Sequence, residues 1–251
     1  MVRGFLVLAV ALGVASPTPA EAQSESRTRV SKASKKSKRN KRNKRNQTFS
    51  RSITVAKRVY DGMPPGFTWP PTRAMKEAGT TCERKLDTLG VQWEHASKEG
   101  RIANPIVIKD GMLGGIKYTN RFGAKASSTM ECQLGVALAS VGPSLRELGI
   151  REVKFGSIYN RSYIRGFQGR RELSRHGIAV AMDIGIFVDD AGREVSIESS
   201  YRSRDKLLLA AEALFIAAPE FHNIITPKND PISHYNHFHV EAVVSFRAPD
   251  A

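Results

Sequence analysis

His237, Phe238, His239, Val240, Glu241 and Ala242 alternate between polar and apolar side chains over six positions. That period belongs to a β-strand, whose successive side chains point to opposite faces. The run therefore predicts a strand from Asn236 to about Phe246, with Phe238, Val240 and Ala242 on one face and His237 and His239 on the other. Three of the chain's six histidines lie between His234 and His239. His234 has the wrong parity for the shared face and can join it only from a loop ahead of the strand. Imidazole is the commonest metal ligand and the usual proton carrier near neutral pH, so the strand predicts a metal site or an acid/base pair.

A second run, Ile178 to Val188, places Val180, Met182, Ile184, Ile186 and Val188 on one face and Ala179, Ala181, Asp183, Gly185 and Phe187 on the other. Asp183 stands between two residues with almost no side chain, which leaves room for a ligand. His176 precedes it by seven positions, beside Gly177. Seven is odd, so the chain must turn or bulge near Gly177 before both side chains can reach one ion. With one histidine of the C-terminal strand they would supply two nitrogens and one carboxylate oxygen, leaving a fourth position for water, as in a catalytic zinc site. With His239 as that ligand, His237 falls where a general base or an oxyanion-stabilising group is needed.

Met130 to Val141 has a helical pattern, which Gly142-Pro143 is expected to interrupt before it resumes at Ser144 and stops at Gly149. Val153 to Tyr159 reads as a short strand. Asp189-Asp190-Ala191-Gly192 is a turn returning Arg193 to Ile197 as a hairpin partner, and Asp205 to Ala218 is a helix ended by Pro219. Strands and helices that do not alternate strictly predict an α+β domain on a small, largely antiparallel sheet with flanking helices.

The N-terminal third is organised differently. Arg3, the apolar run Phe5 to Ala15 and the small-x-small Ala20-Glu21-Ala22 make residues 1–22 a signal peptide, too short in its apolar part to span a bilayer. The expected location is periplasmic or otherwise envelope-associated, with no transmembrane helix in the mature protein. Residues 23–58 carry 14 Lys or Arg against Glu25, and the triplet Lys-Arg-Asn occurs three times from Lys38 to Asn46. A block of this kind cannot bury a core and predicts a disordered basic tail. Behind an export signal its polyanionic partners would be cell-envelope polymers or anionic lipids rather than specific nucleic acid; a plain solvated spacer is the competing reading.

The whole chain has 39 basic and 24 acidic residues, a net +15, and removal of the tail's +13 and the balanced signal leaves +2 for residues 59–251. The folded part is thus not built as a nucleic-acid binder. Pro64, Pro65, Pro70 and Pro71 mark an extended linker over 59–80, with the main domain at 81–247. Cys82 and Cys132 form an even pair, most simply one disulfide in an exported protein, with a catalytic cysteine as the alternative.

SRHGIAVAMDI, residues 174–184, resembles the Ser-x-His-(x6)-Asp signature of metallopeptidases that include lysostaphin-type, D-Ala-D-Ala and murein endopeptidases, whose fold is shared with hedgehog domains. HYNHFH resembles their second signature. More closely, Cys82 to Ala242 resembles the bacterial extensin-like C-terminal domain. That resemblance implies His176, Asp183 and His239 as Zn2+ ligands, His237 as base, His234 as an accessory group, Ser174 as a hydrogen-bonding support, and Arg161 as a cation for a peptide carboxylate.

The implied function is a zinc peptidase cutting an amide bond in peptidoglycan, against a non-catalytic wall- or polymer-binding protein of the same fold. Two departures stand out: Ala179 where the peptidase signature has glycine, and Asn236 where aspartate is usual. Two further cysteines expected near Gly114-Gly115 and at Asn160 are absent, which implies that Cys82 and Cys132 pair with each other.

Overall fold

The computed structural model describes residues 62–123, 127–161 and 173–247. The expected signal peptide and basic tail lie outside them. Among the described residues no helix is long and apolar enough to cross a membrane.

The supposed linker is helical from Arg73. Helix α1, Arg73–Thr88, starts directly after Pro70 and Pro71, and the Thr72 hydroxyl accepts a hydrogen bond from the Met75 N–H at 3.2 Å. Its buried face, Met75, Gly79, Cys82 and Leu86, follows helical spacing. The prolines mark the approach to the helix rather than a long extended segment: they stand ahead of the Thr72 cap, where no intrahelical N–H bond is lost.

Strands β1 (Trp93–His95), β2 (Pro105–Ile108) and β5 (Met130–Glu131) make a small antiparallel sheet in that order. The larger sheet has seven strands. β3 (Met112–Leu113), β4 (Ile116–Asn120), β6 (Ile150–Ser157), β7 (Ala181–Asp189), β10 (Phe238–Ala242) and β9 (Phe221–Ile225) follow one another across it, while β8 (Glu194–Ser196) pairs the far half of β7. All its pairings are antiparallel except β4 with β6. The domain is α+β, as the pattern predicts, but with two sheets and one parallel pair. That pair is joined through helix α2, Cys132–Glu147, the kind of crossover a parallel pair requires. Short helix α3 (Ile197–Ser200) and helix α4 (Lys206–Ala217, capped by Asp205) complete the domain.

Gly142-Pro143 does not interrupt α2. Pro143 cannot donate to the Ala139 carbonyl, and the β3–β4 turn packs at that point: a Cβ on Gly114 would collide with the Ala139 oxygen, and one on Gly142 with the Gly114 backbone. The expected break is a site of close helix–turn packing.

The predicted disulfide is formed, joining Cys82 of α1 to Cys132 at the start of α2. Closing a loop of sequence separation 50 contributes about 4 kcal/mol through the unfolded chain. With no free cysteine among the described residues, the catalytic-cysteine alternative is set aside.

Beside the bridge, buried Glu131 accepts N–H bonds from Ala103 at 3.0 Å and Asn104 at 2.9 Å. Burial pushes its pKa up to about 8 against the pull of backbone N–H bonds from Asn104, Ala103 and Cys132. Between the unfolded value near 4.5 and about 8, the folded state holds a proton that the unfolded state has released. Its contribution to stability is therefore complete below that window and falls as pH rises, by about 1.4 kcal/mol per pH unit at the steepest. Glu131→Gln should remove this slope. Chemical denaturation of both proteins at several pH values between 5 and 8 checks it, and parallel pH profiles would refute it.

Candidate metal centre

The chain turns where the odd separation requires. Arg175–Ile178 form a 3-10 turn, and Ala179 takes a left-handed conformation at φ 55°, so β7 begins at Ala181 rather than Ile178. A left-handed position favours glycine, which accounts for the glycine expected there. Ser174, half-buried, caps the turn by accepting from the His176 N–H at 3.3 Å. Asp183 lies in β7 with His239 directly opposite on β10 and Ser157 opposite on β6. Phe238, Val240 and Ala242 are buried in the core, in keeping with the predicted parity.

His176, Asp183 and His239 converge. His176 Nε2 lies 3.1 Å from Asp183 Oδ1 and 3.1 Å from His239 Nδ1, and the last two are 3.0 Å apart. Three donors bound to one zinc ion at ~2.0–2.2 Å in tetrahedral geometry stand roughly 3.3 Å apart, so the near-equilateral triangle matches such an ion. The tautomer adds to the fit. His176 Nδ1 donates to the Ile158 carbonyl at 2.9 Å, leaving a lone pair on Nε2 in the neutral ring, pointed at a carboxylate oxygen. Two lone pairs face to face call for a cation between them, whether a proton or a metal.

The electrostatics agree. Burial alone would lower the His176 pKa, but the hydrogen bond and charge of Asp183 outweigh it and hold it above its ordinary value. Burial would raise Asp183, yet hydrogen bonds from His176 and His239 hold it well below the usual carboxylate range.

His237 stands just outside the triangle, Nε2 3.5 Å from Asp183 Oδ1. Its Nδ1 donates to Asn236 Oδ1 at 2.8 Å, so the Nε2 lone pair is the one presented to the cleft. Burial lowers its pKa, which keeps the ring neutral and able to accept a proton. Asn236, the departure from aspartate, orients the ring without adding charge. His234 joins from the preceding loop, its Nδ1 2.8 Å from Asp230 Oδ2 and its ring centroid 4.8 Å from that of His237.

Residues 80–248 match the family model for the extensin-like protein C-terminus. The chain belongs to that family. Comparison with curated proteins and with solved structures found no match. Within the extensin-like domain, the match covers the disulfide, both sheets and all the residues of the triangle.

Other placements in the extensin-like domain differ from expectation. Arg161 does not line the cleft formed by Asp183 and His237; it lines another hollow with Trp69, Arg101, Tyr159 and Gly177, nearing the triangle only through the His176 turn. The space over Gly185 is filled by the Arg121 guanidinium, with which a Cβ on that glycine would collide. His222, a half-exposed side chain, lies 3.0 Å from buried Glu241. Glu241 also pairs with Arg175 and accepts from Asn223 Nδ2 at 3.0 Å. The sequence carried signals for these groups: an acid continuing the histidine face of β10, and glycines inside paired strands, where backbone is approached closely.

Proposed function

We propose that this extensin-like domain is a zinc-dependent peptidase acting on peptidoglycan, with the fold of the lysostaphin, D-Ala-D-Ala peptidase, murein endopeptidase and hedgehog group. The observation that carries the reading is the triangle of His176 Nε2, Asp183 Oδ1 and His239 Nδ1, set beside a cleft of about 230 Å3 that Asp183 and His237 help to line. Zn2+ held by these three groups would acidify a water molecule and polarise the scissile carbonyl.

The protein's own side chains supply the rest. His237 takes a proton at Nε2 and returns it to the departing amine, its ring kept in one tautomer by Asn236. Ser174 and the Ile158 carbonyl fix His176 in rotation and tautomer. His234, hydrogen-bonded to Asp230, packs against the His237 ring and limits its movement. We further propose an exported protein whose Lys/Arg/Asn-rich tail rests on anionic polymers or lipids of the envelope. The disulfide supports an oxidising compartment.

Digestion of purified peptidoglycan by the full chain tests this reading. Muropeptides identified by mass should be released with zinc and not with chelator. Folded, zinc-loaded protein that releases none would replace the peptidase with a wall-binding protein.

A further inference from the structure

The turn after β4 carries two side chains into the cleft that the sequence did not bring forward. The Arg121 N–H donates to the Phe155 carbonyl at 2.8 Å and the Phe122 N–H to Asn120 Oδ1 at 2.9 Å, which fixes the backbone of both residues. The Arg121 guanidinium lies on Gly185, and Phe122 lies over Gly156, its Cε2 3.4 Å from where a Cβ on that glycine would be. Arg121 Cζ is 5.1 Å from the centroid of the Phe122 ring. Two glycines in neighbouring strands thus form a floor for a cation and an aromatic ring.

Arg121 has no side-chain hydrogen bond or ion pair among the described residues, and its side-chain partner there is the Phe122 ring. It does not neutralise Asp183, whose Oδ1 is taken up by the surrounding imidazoles. Both residues line one cleft with Asp183 and His237. Gly185 follows Asp183 by two positions, so the guanidinium is seated about 6.6 Å along the strand from Asp183.

We infer that Arg121 is the substrate anchor of this cleft, holding a free peptide carboxylate beside the bond that is cut, with Phe122 offering an apolar surface to the adjoining side chain. The inference rests on the peptidase reading and narrows it to a substrate class: peptides with a carboxylate within one or two residues of the scissile amide. The guanidinium fork matches a carboxylate with two parallel N–H bonds, and among the described residues no acceptor takes up the Arg121 side-chain donors. Consecutive Cα atoms stand 3.8 Å apart, so a substrate with its scissile carbonyl beside Asp183 brings the carboxylate of the next residue to within one hydrogen-bond length, ~3 Å, of a guanidinium seated at Gly185. Phe122, 66 % exposed, leaves its ring open to a small side chain such as the methyl of alanine.

The test uses the full chain with His237→Ala, zinc-loaded, so that binding is read without turnover. The ligands are N-acetylated Ala-Ala in each configuration, as free acid and as C-terminal amide, titrated by calorimetry or NMR. The free acid of at least one configuration should bind about tenfold more tightly than its amide; Arg121→Gln should erase the difference and Arg121→Lys should keep part of it. The preference should weaken with added salt.

Equal binding of acid and amide overturns the anchor, even if peptidoglycan is still digested by the parent protein. So does a preference that survives Arg121→Gln or is lost instead in Arg161→Gln. A carboxylate preference that depends on Arg121 in a protein that digests no peptidoglycan upholds the anchor while removing the peptidase.

Discussion

His237→Ala should lower the rate of muropeptide release by about a thousandfold while the protein still binds one zinc ion per chain. The two halves of this expectation have separate physical origins. The three ligand atoms of the triangle belong to His176, Asp183 and His239, and deletion of an imidazole 3.5 Å from Asp183 Oδ1 removes none of them. Turnover loses the group that moves a proton, a contribution that lies between about 10²- and 10⁴-fold for positioned general bases. His237 is suited to the role by its Nδ1–H bond to Asn236 and by burial that keeps it neutral. Zinc content by elemental analysis, set beside product formation, checks both halves. Activity within tenfold of the parent would remove His237 from the proposed mechanism, and loss of zinc would make it a ligand.

Much of the triangle of His176, Asp183 and His239 was legible because it depends on strand parity, which is local. The alternation from His237 to Ala242 set Phe238, Val240 and Ala242 into the core, and the odd separation of His176 from Asp183 demanded a turn. What parity could not supply was register. That His239 stands directly opposite Asp183, and Ser157 on its other side, follows from how three strands align. Arg121 was hidden for a related reason: it is 62 positions from Asp183 in sequence and reaches the cleft only because β4 lies beside β6, and β6 beside β7. Helix α1 was obscured by four prolines that read as a linker until Thr72 proved to be a cap. The small sheet was missed because β1 and β5 have three and two residues, too few to show a period. Pro143 misled because its cost as a helix breaker depends on what packs against the helix there, and that is a turn distant in sequence, with Gly114 close against the Ala139 carbonyl.

Glu241→Ala should markedly lower the stability of the domain. The carboxylate is 3 % exposed and ties together three segments. It pairs with Arg175, the residue before His176, it accepts from Asn223 on β9, and it sits two positions beyond His239 on β10. Arg175 in turn donates to the Gly62 carbonyl, so the ion-paired guanidinium also fastens the Gly62 segment to the turn that carries His176. Removing one member of a buried pair leaves the other charge without compensation, at about 3–5 kcal/mol. The Arg175 side chain keeps 21 % of its exposure and can recover some hydration, which places the expected loss near the lower end. Because the pair positions the 3-10 turn, zinc affinity should also fall, by about 10- to 100-fold, as for other groups that orient ligands. Glu241→Gln keeps the shape and an acceptor for Arg175, so it should be milder on both counts. Urea denaturation with a zinc titration reads the two effects together. A stability change below about 1 kcal/mol would mean that Arg175 finds water as readily as it finds Glu241, and a stability loss without any loss of zinc affinity would mean that the turn holds His176 without the pair.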